Sequence, residues 1–221
     1  MKFLLLAALA TAARAQSPPS GDLMPAMQKM ADALGVNCDY CHSAPRGSGL
    51  AEPKKDIARL MMAMTRDLNA RIPDATHKTG EEAATIECIT CHRGVAIPRQ
   101  LSEIIARTLR DQGAAAAVEQ YRDLRQRYYG RQAYDFGEGT LLDLARRTAS
   151  RKPDDAIALL KVNLEFNPRS ARSYSALAYA YTRNLDDIPA IAALEKALEI
   201  EPDNGVIRGQ LEQLKSYRRR K

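Results

Sequence analysis

Two five-residue signatures constrain this chain more than any other feature: Cys38-Asp-Tyr-Cys41-His42 and Cys88-Ile-Thr-Cys91-His92. Between them they use all four cysteines and two of the three histidines. Cys-x-x-Cys-His is the attachment signal of a c-type haem. Two thiols three positions apart add to the two vinyl groups of one porphyrin, and the adjacent imidazole reaches the iron beneath it. The signatures therefore predict two covalently bound haem c groups. One is held by Cys38 and Cys41 with His42 on its iron, the other by Cys88 and Cys91 with His92. The rings themselves supply much of one core.

A Cys-x-x-Cys pair also occurs as a local disulfide, a redox dithiol or half of a zinc site, and the histidine after each pair argues against all three. A zinc ribbon wants its second pair about 15–20 residues after the first. Here 46 residues separate Cys41 from Cys88. A thioredoxin-like motif needs a βαβ context, and the pattern around both signatures is helical.

The N-terminus predicts the compartment. Lys2 precedes an apolar run, Phe3 to Ala10, and Ala13-Arg14-Ala15 places small residues about a cleavage point before Gln16. This is the pattern of a secretory signal peptide over residues 1–15, cleaved after Ala15, with an uncleaved N-terminal anchor as the alternative. No run of about 18 apolar residues follows. The expectation is an exported, soluble, periplasmic protein. Loss of Lys2 and Arg14 leaves 31 basic against 27 acidic residues, a formal charge of +4. Ionised haem propionates cancel that excess, so the basic balance predicts no nucleic-acid partner. The tail Arg218-Arg-Arg-Lys221 reads as a frayed, solvated helix end.

Composition divides the mature chain near residue 100 into a haem domain, 16–100, and a helical region, 101–221. Residues 16–22 form a loose Ser/Pro/Gly lead-in. Helical patterns at 23–34 and 54–71, the second ending near Pro73, each come before a haem signature. After Pro98, periodicity predicts helices at 101–111, 114–129, 138–150, 154–166, 171–183, 187–200 and 204–217. Ala156, Leu160 and Pro168 recur as Ala190, Leu194 and Pro202, each displaced by 34 residues, which is the tetratricopeptide period. Leu144-Ala145 precedes Leu177-Ala178 by 33, so the earlier copy has lost a residue from its turn. The fold class is all-α: a small dihaem cytochrome c domain followed by a tetratricopeptide-like helical repeat array. A plain helical bundle that extends the haem domain is the alternative for the second half.

The ligand opposite each histidine is restricted by counting. Only His77 remains, so at most one iron takes a second histidine from this chain. Six of the seven methionines cluster ahead of the two signatures: Met24, Met27 and Met30, then Met61, Met62 and Met64. Residues three apart lie within about 60° of each other around a helix, so each segment carries a thioether stripe. Periodicity does not select a ligand within either stripe, and most of these residues serve as apolar packing.

The segments Met27-Gln-Lys-Met-Ala-Asp-Ala-Leu-Gly-Val-Asn-Cys38-Asp-Tyr-Cys-His42, Ala58-Arg-Leu-Met61-Met-Ala-Met64-Thr-Arg-Asp-Leu-Asn69 and Cys88-Ile-Thr-Cys-His-Arg-Gly94 resemble the multihaem cytochrome subunit of photosynthetic reaction centres over about residues 22–98. In that family a helix precedes each signature, and a methionine on most of those helices is the distal ligand. The resemblance implies Met27 as the sixth ligand of the first haem and Met61 as that of the second. Reaction-centre members carry four haems where this chain has two signatures, and they lack a repeat array. The family's histidine that crosses to another haem falls at Ala75, which leaves His77 as a surface residue. The combination is more similar to soluble dihaem relatives joined to repeat domains.

His/Met ligation raises a haem potential and fills the sixth position against oxygen and peroxide. The expected function is single-electron transfer between a redox donor and acceptor, one of them in a membrane-bound complex, with protein docking through the repeats and no catalysis. Two other readings stand beside it. One is a haem enzyme or gas sensor with an open iron, using His77 with Glu81, Glu82 and Glu87 as its acid–base group. The other is a repeat-domain assembly factor with a redox-active anchor.

Overall fold

The computed structural model describes residues 23–45 and 48–220; the signal peptide and lead-in expected over 1–22 lie outside the described residues. All regular structure among the described residues is helical, in agreement with the expected fold class. The chain divides into two compact units, one ending at Cys91 and one beginning at His92. Composition places the division near residue 100, at the Pro98 break, whereas packing places it inside the second signature.

The first unit contains α1 (Leu23–Leu34), α2 (Pro53–Thr76) and the start of α3 (Cys88–His92). Helix α1 closes on Gly35, whose φ of 65° is the left-handed conformation a helix end demands, with Val36 N–H donating to the Ala31 carbonyl at 3.0 Å. Helix α2 begins with Pro53 at its first turn, where a missing N–H costs nothing. It runs through Pro73 to Thr76 instead of stopping there. The ring removes one donor, the one that would serve the Asn69 carbonyl, and the helix continues past that single lost bond. It ends at His77, exposed and left-handed with φ 54°.

The second unit holds α4 (Leu101–Gln112), α5 (Ala114–Tyr128), α6 (Glu138–Ala149), α7 (Pro153–Phe166), α8 (Ala171–Arg183), α9 (Asp187–Ile200) and α10 (Gly205–Arg220). Each packs on its successor within the pairs α4/α5, α6/α7 and α8/α9; α4 also meets α6, α5 meets α7, α6 meets α8, and α10 covers α9. This is a stack of helical hairpins with a terminal helix across its end. Residues related by the repeat are buried alike: Ala145 with Ala178, Ala156 with Ala190, and Leu160 with Leu194. Ile105, Tyr121, Leu141, Leu142 and Leu159 complete a continuous core. Asn163 is fully buried and satisfied, donating to the Glu138 carbonyl and to Ser173 Oγ, which joins α6, α7 and α8. The terminal helix α10 stays regular through Arg220, beyond the frayed end expected from its sequence; its last-turn arginines face the negative end of the helix dipole.

Candidate haem sites

Both signatures fold into a single helical turn, and this gives them their chemistry. In the first, Cys38–Tyr40 forms a 3-10 turn, with Cys41 N–H and His42 N–H both donating to the Cys38 carbonyl, at 3.2 and 3.0 Å. In the second, Cys88–His92 is one α-helical turn. Three- and four-residue spacing on such a turn puts both thiols and the imidazole on one side. Cys41 and Cys88 are half-buried, Cys38 and Cys91 exposed, and all four thiols are free. Among the described residues, no three His, Cys, Asp or Glu side chains converge as a metal-ion cage.

His92 is oriented by its own loop. The chain turns back after it through two left-handed residues, Arg93 at φ 50° and Gly94 at φ 83°. Val95 N–H then donates to the His92 carbonyl at 2.9 Å, while His92 Nδ1 lies 3.1 Å from the Val95 carbonyl oxygen. A carbonyl only accepts, so Nδ1 carries the proton and Nε2 keeps its lone pair for a metal. Val95 itself is buried, which fixes the loop. His42 is exposed. Beside it, Glu52 accepts from Ala44 N–H at 3.5 Å and pairs with Lys55. Its carboxyl is held below the usual range, first by the Lys55 hydrogen bond, with desolvation opposing next and Ala44 N–H and the charges of Lys55 and His42 adding smaller lowering effects.

Both methionines implied as ligands lie on the helices expected. Met27 is half-buried on α1 with Met30, whereas Met24 is 73% exposed. Met61 is half-buried on α2, whereas Met64 is 46% exposed. Two contacts tie α2 to the segments around the signatures. Lys54 Nζ sits 3.7 Å above the Tyr40 ring, inside the first signature. Farther along, Asn69 Nδ2 donates to the Ile86 carbonyl and Asn69 Oδ1 accepts from Ile86 N–H, both at 2.8 Å, two residues ahead of Cys88. Sequence reading passed over Asn69, whose only signal was its place at the end of the Met61–Asn69 segment. Of the acidic residues named beside His77, Glu81 and Glu82 lie in a 3-10 turn, Gly80–Glu82, and Glu87 in the irregular chain that follows.

The packing of the first unit fits a large apolar prosthetic group. Among its described residues Ala33 alone is buried, while Leu50, Ile57, Leu60, Leu68 and Ile89 are exposed. Exposed apolar side chains in such density mark a surface that something covers. A porphyrin is flat, apolar and large enough, and the donor set of paired thiols with an adjacent imidazole suits haem c.

Comparison with known proteins agrees with that chemistry. The family described as photosynthetic reaction centre cytochrome C subunit matches residues 47–128, which include the second signature and extend through α5. The photosynthetic reaction center cytochrome c subunit of Rubrivivax gelatinosus is 36% identical over 83 residues, covering 33% of this chain and 22% of that protein. Cytochrome c-554 of Chloroflexus aurantiacus is 34% identical over 65 residues, covering 29% of this chain and 15% of that protein. The chain thus spans a small part of the length of either relative. The matched proteins are cytochromes c by name, and the family match takes in α2 together with the second signature.

Proposed function

We propose that this protein is an exported, periplasmic dihaem cytochrome c that carries single electrons between a donor and an acceptor. The observation that carries the reading is that each Cys-x-x-Cys-His forms one helical turn in a unit almost without a side-chain core. Cys38 and Cys41 would anchor one haem with His42 and Met27 on its iron; Cys88 and Cys91 would anchor the other with His92 and Met61. When bound, each haem supplies a one-electron couple. The chain's part is to hold the ring edges, exclude water with the α1 and α2 apolar faces, and keep His92 in one tautomer through Val95. A methionine in the sixth position would raise the potential and close the iron to small ligands.

In this reading residues 16–100 are the haem domain and 101–221 a tetratricopeptide-like domain that docks a redox partner, one of the partners lying in a membrane complex. The 34-residue recurrence with equivalent burial supports the repeat assignment. Haem content per chain and the optical spectrum of the reduced holoprotein, with and without carbon monoxide, test the proposal. Two haems and an unchanged spectrum are expected. A carbon monoxide shift in the untreated protein would replace the carrier with an enzyme or gas sensor.

A further inference from the structure

We infer that Asn69 is the positioning residue of the second haem motif, pinning the backbone ahead of Cys88 to α2 so that the iron keeps its sixth ligand from that helix. The inference rests on the carrier reading above and deepens it. Its basis is the carboxamide of Asn69, which meets both polar groups of the Ile86 backbone at 2.8 Å, as a neighbouring strand would.

Only a carboxamide of this length does both jobs. Aspartate accepts from Ile86 N–H but has nothing to donate to the carbonyl, leucine has the size without either bond, and glutamine is one methylene too long. The chain from His77 to Glu87 needs such a tie, since its only regular feature is the 3-10 turn at Gly80–Glu82. The tie also falls at a telling place on α2. At about 100° per residue, Met61, Thr65 and Leu68 lie within about 40° of one direction, with Asn69 about 80° from Met61 and about 12 Å farther along the axis. Asn69 therefore borders the face that carries the methionines. With Ile86 fixed there, Cys88 follows two residues later and the haem it anchors is presented to that face. A methionine–iron bond is weak enough to be lost if the ring drifts, whereas the thioether links are covalent and survive.

Asn69→Asp and Asn69→Leu, each prepared as full-length holoprotein, test this by haem content, carbon monoxide binding to the reduced protein, and redox titration. The expected result is two covalent haems per chain in both variants, with carbon monoxide binding at one haem, more completely in Asn69→Leu than in Asn69→Asp. One midpoint potential should fall while the other stays. Both haems remaining closed, or both opening together, overturns the inference. So does loss of holoprotein in both variants, which would make Asn69 a general folding residue. Wild-type protein that holds fewer than two haems, or binds carbon monoxide before any substitution, refutes the carrier reading instead.

Discussion

Methionine is ambiguous in a sequence because one thioether both fills cores and ligates iron. The stripe Met61, Met62, Met64 is legible as a stripe, and the fold leaves Met64 46% exposed while Met61 and Met62 are both half-buried. Met61→Ala should open the second iron to carbon monoxide and lower its potential, with Met64→Ala changing either only slightly. A larger effect at Met64 would place the ligand one helical turn away. Histidine is the opposite case: the Cys-x-x-Cys-His signature names His92, yet only the fold reveals the Val95 carbonyl that sets its tautomer. Tyr121 was not legible at all as a special residue. It is fully buried among Phe136 and Phe166, and the Arg125 guanidinium near its hydroxyl falls short of hydrogen-bond geometry. Burial raises its pKa, with the Arg125 charge opposing. The neutral phenol is thus the form the fold favours: its contribution is intact below about pH 10 and is lost as pH rises through the raised value. Tyr121→Phe removes the titrating hydroxyl and should give a shallower alkaline loss of stability in thermal melts.

Helix α2 shows where local signals mislead. Pro73 reads as a stop, yet the helix runs three residues further because one missing donor is a smaller loss than ending the turn. Its length gives it two anchor points, Lys54 at the first signature and Asn69 ahead of the second, 15 residues and about 22 Å apart along the axis. The array hairpins were read closely from periodicity, but their caps were not. Ser170 Oγ accepts from Ser173 N–H at 2.9 Å, and 34 residues later Asn204 Oδ1 accepts from Ile207 N–H at 3.2 Å. The repeat thus extends to the first turn of α8 and α10 in function while the residue type differs, which is why identity at period 34 did not mark it. Asn204→Ala should cost about 1 kcal/mol in denaturant unfolding. Ser170→Ala should cost more, toward about 2 kcal/mol, because Ser170 is buried and also donates to Glu138.

Across the whole molecule, stability is divided unequally between the two units. From His92 onward a side-chain core runs through successive hairpins, whereas up to Cys91 the described residues bury Ala33 alone. Replacing all four cysteines with alanine, so that no haem attaches, should therefore cost the helicity of α1 and α2 while the array keeps a cooperative thermal transition. Far-ultraviolet circular dichroism would check this, and a single melt that abolishes all helicity together would contradict it. The paired thiol signatures, the helical class and the 34-residue period are legible in the sequence because each depends on spacing along one chain: thiols three apart, apolar residues on one helical face, alanines where helices approach. What tertiary structure decided depends on groups distant in sequence or hidden in the backbone. The Asn69–Ile86 pairing joins residues 17 apart through main-chain atoms that every residue type shares, and the division at Cys91 follows from which side chains find neighbours to bury against.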